Sequence, residues 1–133
     1  MEISREVAEE QLDEFLGFYE IELDILPGDQ KAAVDGSVKK IISAILKGRV
    51  EVLSNGEIRQ VFKNPPGDVP ELIYRELTGS AKLAMKGKGA EDYHGRIYAL
   101  LGSLAGVDEA AISKLRGVDL SIAECIGVLF LQV

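Results

Sequence analysis

The last fourteen residues of the chain are apolar on every side of any helix that they form. Residues 120–133 read LSIAECIGVLFLQV and carry a single charge, at Glu124. A helix that is apolar around its whole circumference must be buried or paired. Because 133 residues have limited capacity to surround one helix, this segment is either enclosed at the centre of its own bundle or partly shared with another subunit.

Length and charge bound the organisation of the chain. A length of 133 residues predicts one domain, 1–133, in three regions: an acidic region 1–48, a β region 49–77 and a helical region 78–133. Residues 1–30 contain ten carboxylates and one basic residue, Arg5, which gives a net charge of -9 against +2 for the remainder. We interpret these carboxylates as a solvated helix face. A total net charge of -7 opposes binding to a nucleic-acid backbone.

Several classes of protein are excluded by what the sequence lacks. It has no apolar run long enough for a membrane span, and its first residues do not form a secretion signal, so we expect a cytoplasmic protein that does not bind membranes. Cys125 is the single cysteine and His94 the single histidine. Neither a disulfide framework nor a structural zinc site can be built from them, and we expect no metal or cofactor.

The acidic region predicts two helices. Ser4 is placed to cap the first, whose apolar positions recur at three- to four-residue spacing as far as Leu16, and Gly17 is its predicted end. Asp29 is the predicted cap of a second helix that runs to about Lys47. Between them, residues 18–26 alternate acidic with aliphatic side chains, which predicts a strand, although some of them would also share a helical face.

The clearest local signal is a β-hairpin. Asn55-Gly56 stands between two β-prone runs, Arg49–Ser54 and Glu57–Lys63, and supplies the positive φ angles of a type I′ turn. A proline-rich loop, 64–70, follows, and 71–77 is the predicted third strand. Beyond it we expect helices separated by glycines: one over 78–86, a longer one ending before Gly106, and two more capped by Asp108 and Asp119. The predicted fold class is α+β, a mainly helical body with a small antiparallel β-hairpin sheet.

No enzyme motif is completed. Gly87-Lys88-Gly89 lies near Lys82 and Lys86, but neither of the common phosphate-binding glycine patterns is present. His94 has no serine or cysteine nucleophile at an interpretable spacing. We therefore expect no catalytic residues and a protein that is not an enzyme.

The carboxyl-terminal part resembles the tail assembly chaperones of long-tailed bacteriophages and prophages. The resemblance begins at the hairpin 51–62 and the segment IYRELTG, 73–79. It is clearest in GRIYALLGSLAGV, 95–107, followed by LRGVDL, 115–120: a leucine-rich helix ending in glycine, a short helix and an aspartate-led final helix. Residues 1–48 lie outside it.

The resemblance implies a non-catalytic function in the cytoplasm of a bacterial host cell. Such a protein coats the phage tape measure protein, keeps its hydrophobic helices from aggregating and assists the polymerisation of the tail tube protein. It would self-associate as a homo-oligomer and bind its partner by helix-in-groove contacts. The candidate partner-binding residues lie in the closing segment: Leu120, Ile122, Ile126, Leu129, Phe130 and Leu131.

Two alternatives stay open. The first is a structural subunit of the tail itself, which the same hairpin and apolar terminus would serve. The second is a small ligand-binding domain or enzyme that uses Lys82, Lys86 and His94.

Overall fold

The structure, a computed structural model, describes residues 3–133 and combines helices with one small sheet. The helices are α1 Arg5–Phe18, α2 Gly28–Leu46, α3 Gly79–Leu83, α4 Tyr93–Ala105, α5 Glu109–Ser113 and α6 Gly117–Phe130. The strands are β1 Val50–Val52, β2 Ile58–Val61 and β3 Glu71–Tyr74. The predicted α+β fold class is confirmed.

The sheet is antiparallel with the order β1-β2-β3. Val50 pairs with Gln60, and Ile58 pairs with Tyr74. At the hairpin turn, Asn55 and Gly56 both have positive φ, 60° and 72°, as the Asn-Gly pair predicts. The amide of Leu53 donates to the carbonyl of Glu57, and this hydrogen bond closes the turn.

The centre of the molecule is α6, which packs between α2 and α4. Gly127 allows the closest approach to α4, because a Cβ at this position would lie 2.6 Å from Cγ2 of Ile97. On another side of α6, the Phe130 ring meets the Phe15 ring of α1 edge to face, with 5.2 Å between centroids. One continuous apolar core therefore joins the acidic region, the sheet and the carboxyl-terminal helices.

Residues 18–26 do not form the predicted strand. After α1 the chain turns at Glu20, whose φ is 55°, and makes only a short 3-10 turn, Leu23–Ile25. Ile21, Leu23 and Leu26 pack against the core, whereas Glu22 and Asp24 are exposed. Burial therefore follows the acidic-aliphatic alternation as far as Leu23 and then departs from it, because Ile25 is 75% exposed and Leu26 packs against the core instead.

The helix caps are partly as predicted. The Ser4 hydroxyl accepts the amide of Val7, and Gly106 ends α4 in the left-handed conformation. Asp108 takes the cap position of α5 without a side-chain hydrogen bond. Asp29 and Asp119 are not caps: α2 begins at Gly28 after Pro27, and α6 begins at Gly117, so that both aspartates lie inside the first turn.

Candidate functional site

The structure places most of the predicted partner-binding residues in the core. Ile122, Ile126, Leu129 and Phe130 are each 4% exposed or less. The prediction that they form an accessible surface is therefore wrong, because α2, α4 and the ring of Phe15 already cover them. Leu120 and Leu131 are only partly buried, so both remain candidates for contact with a partner, and Leu131 lies at the end of α6.

Leu131 lies where two cavities meet, in what we call the C-terminal groove. The smaller cavity, about 220 Å³, lies against α3 and the chain end and is lined by Leu77, Lys82, Met85, Arg96, Leu100, Phe130, Leu131 and Val133. The larger, about 450 Å³, lies against the start of α2 and is lined by Gln30, Ala33, Val34, Ala90, Tyr93, Arg96, Val128, Leu131 and Gln132. Arg96 and Leu131 line both cavities, so the two adjoin at the end of α6.

The lining of this groove is mainly apolar with a few placed polar groups. Lys82 donates from Nζ to the carbonyl of Val133 at 2.8 Å, and Gln30 donates from Nε2 to Oε1 of Gln132 at 2.8 Å. These two bonds hold the chain end against α3 and α2. Among residues 3–133, Arg96 makes no ion pair, which leaves its guanidinium available to a carboxylate on a partner.

Exposed apolar side chains lie in and beside the groove. Tyr93 and Val133 line it and are 49% and 37% exposed, and Leu83 on α3 is 67% exposed. Exposed apolar groups around a concave apolar lining are typical of a protein-binding surface. Of the predicted partner-binding residues, only Phe130 and Leu131 line the groove, because it assembles residues from four helices that are distant in the chain.

The side chains of the enzyme alternative have separate partners. His94 is exposed on α4, and its Nε2 lies 3.5 Å from a carboxylate oxygen of Glu124. The Tyr98 hydroxyl donates to the same carboxylate at 2.9 Å, and burial, together with this hydrogen bond, raises the pKa of Tyr98. Lys82, in contrast, is engaged with the chain end. His94 and Lys82 therefore serve separate surface contacts.

No sequence pattern indicated the buried network of hydrogen bonds that centres on Gln60 and Asp119. The Tyr74 hydroxyl donates to Oε1 of Gln60 at 2.7 Å, and Nε2 of Gln60 donates to the carbonyl of Asp119 at 2.8 Å. The Asp119 carboxylate accepts the amides of Lys63 and Asn64 at 2.9 and 2.8 Å. Burial raises the pKa of Tyr74. All three side chains are fully buried, so this network ties the sheet and the proline-rich loop to α6 and is closed to a substrate.

Two further properties of the described residues bear on the site. Residues 3–133 contain no group of three or more His, Cys, Asp or Glu side chains arranged to hold a metal ion. Over the same range, no helix combines the length and apolar character needed to cross a membrane.

Comparisons with protein-family models, with curated proteins and with solved structures find no match for this chain. The functional interpretation therefore depends on the surface chemistry described above and on the sequence resemblance.

Proposed function

We propose that this protein is a non-catalytic tail assembly chaperone of a bacteriophage or prophage, which binds the tape measure protein and assists polymerisation of the tail tube. The sequence resemblance supplies the class of protein. The observation that carries the proposal is the C-terminal groove, two adjoining and mainly apolar cavities in which Tyr93 and Val133 are exposed.

The groove is suited to a helical partner. Two adjoining cavities, of about 220 and 450 Å³, offer space for apolar side chains that project from successive turns of one helix. Arg96 lies between them and can pair with an acidic residue of that helix. The same resemblance implies that the tape measure protein has long hydrophobic helices, so one of these helices is the proposed ligand.

The direct test is binding of the full chain to a helical fragment of the tape measure protein encoded in the same gene cluster. The groove variant is Tyr93→Asp with Val133→Asp, since both side chains are partly exposed and the fold should tolerate the change. We expect the dissociation constant to rise by about tenfold or more, because apolar anchors dominate such contacts. Val69→Asp is the matched control, as Val69 is 43% exposed and lies outside the groove.

Three results would contradict the proposal. The wild-type chain does not retain the fragment, or the groove variant and the control bind it equally well. The third is detection of the protein as a component of mature virions by electron microscopy and mass spectrometry, which would identify a structural subunit of the tail instead.

A further inference from the structure

A third cavity, separate from the two of the C-terminal groove, concentrates positive charge in this acidic protein. It has a volume of about 410 Å³ and lies between the carboxyl-terminal half of α2 and the start of α6. We call it the basic cavity; its lining residues include three cations, Lys40, Lys47 and Arg49. Val118, which is 37% exposed, gives the cavity an accessible apolar side chain beside the buried Ala44 and Ile122.

The positive charge of the basic cavity is not neutralised by the residues that the structure describes. Lys40 donates to the Ser121 hydroxyl at 2.7 Å, which is a neutral partner. Within residues 3–133, none of the three cations forms an ion pair with a carboxylate. The net charge of the chain is -7, so a cluster of three uncompensated cations is a local reversal of its surface potential.

The complementary surface is on α1. Ala8, Leu12 and Phe15 turn one face of this helix into the core, where each is 1% exposed or less. Val7, Glu10, Glu14 and Phe18 follow one another at three- and four-residue spacing and therefore share another face. Val7 and Phe18 on that face are 42% and 45% exposed, and Glu10 and Glu14 are exposed between them.

We propose that the basic cavity binds the acidic face of α1 from a second copy of this chain. Carboxylates of Glu10 and Glu14 would pair with Lys40, Lys47 and Arg49, while an apolar side chain of α1 covers Val118. The cavity's own α1 cannot supply this contact without leaving the core, because Leu12 and Phe15 anchor it there. Two copies related by a two-fold axis make the contact twice and close as a dimer.

The choice of a second copy follows from what the cavity offers. A polyanion such as nucleic acid would satisfy the three cations but leave the apolar side chain of Val118 exposed. The α1 face carries carboxylates and exposed apolar side chains on the same side of one helix. Each copy of the chain has one such face and one basic cavity, so the two surfaces can pair between copies. This inference does not depend on the C-terminal groove, so the proposed function and the self-association can fail independently.

A charge-exchange experiment with the full chain tests the contact. The cavity variant is Lys40→Glu with Lys47→Glu, and the helix variant is Glu10→Lys with Glu14→Lys. We expect sedimentation velocity to show a wild-type dimer that dissociates as salt rises from about 0.1 M to about 1 M, where the Debye length falls from about 10 Å to about 3 Å. Each variant alone should dissociate with a constant raised about tenfold or more, and an equimolar mixture should restore a one-to-one complex.

The mixture is decisive because both variants keep a net negative charge, so that general attraction between them does not account for the complex. Lys63→Glu with Lys86→Glu is the matched control, as both lysines are exposed and lie outside the basic cavity, and it should dimerise like the wild type. Circular dichroism and thermal unfolding confirm that each variant is folded.

A wild-type monomer at high micromolar concentration and low salt overturns the proposal, as does a mixture that stays monomeric. Binding of heparin that needs Lys40 and Lys47, without a dimer, also overturns it in favour of a polyanion site.

Discussion

At the scale of single residues, Asp119 connects parts of the fold that are distant in the sequence. Its carboxylate accepts the amides of Lys63 and Asn64, and its carbonyl accepts from Gln60. The sequence indicated a helix cap here because an aspartate precedes an apolar helical run. Its actual partners lie more than fifty residues earlier in the chain. No local pattern records such a contact, which is why the sequence did not predict it.

We expect Asp119→Ala to lower the free energy of unfolding by roughly 1–3 kcal/mol, because two partly buried amides lose a charged acceptor. Asp119→Asn keeps one acceptor oxygen and should lose less. Urea denaturation at pH 7 measures both values. Asp108→Ala is the control: Asp108 is exposed and its side chain forms no cap, so that its loss should cost about 0.5 kcal/mol or less. Equal effects of Asp108→Ala and Asp119→Ala would contradict the assigned role.

The buried Tyr74 gives stability a dependence on alkaline pH. Burial holds its pKa above the ordinary value, so the native state keeps the phenolic proton where the unfolded chain loses it. The free energy of unfolding should therefore be insensitive to this group below about pH 10 and fall as pH rises beyond it. In Tyr74→Phe we expect the free energy of unfolding at pH 7 to be lower by roughly 1–3 kcal/mol, since Oε1 of Gln60 loses the hydroxyl that donates to it. Its fall at alkaline pH should be shallower than in the wild type. Urea denaturation across this pH range checks both; an unchanged alkaline slope would contradict the assignment.

At the scale of elements, sequence patterns predicted helix positions better than helix partners. The Ser4 cap, the Asn55-Gly56 turn and the Gly106 terminator are local signals, and the structure contains each of them. Residues 18–26 show the limit, because the alternation predicted a strand where the chain makes a 3-10 turn that leaves Ile25 exposed. The basic cavity shows it too. Lys40, Ser43, Ala44 and Lys47 share one face of α2 by their spacing, but only the fold brings residues 117–122 against them.

Two glycines in helix interiors provide a paired test of element packing. Gly127→Ala should destabilise the protein by roughly 1–3 kcal/mol, because the new methyl group would press on the buried Ile97 at the α4–α6 contact. Gly36→Ala in α2 has nothing within 4 Å and should instead stabilise by roughly 0.5–1 kcal/mol through lower backbone entropy in the unfolded chain. Thermal and urea unfolding of both variants measure the difference. A neutral Gly127→Ala would mean that α4 and α6 pack less closely than described.

At the scale of the whole molecule, the sequence left two environments open for the apolar closing segment, and the structure distinguishes between them. The apolar closing segment had to be buried or paired. The chain itself supplies most of the cover, through α2, α4 and Phe15. Periodicity cannot reveal the source of that cover, because an apolar helix has the same pattern whether its neighbours belong to its own chain or to another. The surface left for a partner is the end of α6, in the C-terminal groove.

The uneven charge of the molecule should make its stability depend on salt. Residues 1–30 carry a net charge of -9, and Glu6, Glu10 and Glu14 repeat at four-residue spacing on α1, where like charges repel. We expect the free energy of unfolding by urea to rise by about 0.5–1 kcal/mol between about 0.1 M and about 1 M NaCl, as this repulsion is screened. The helix variant, Glu10→Lys with Glu14→Lys, turns the repulsion between positions 6 and 10 into an attraction and lowers the net negative charge of α1, so its free energy of unfolding should rise less with salt, even though the two new lysines repel each other. Both proteins are measured at a concentration where sedimentation finds monomer, so that self-association does not contribute. An equal salt effect in the two would place the dominant repulsion outside α1.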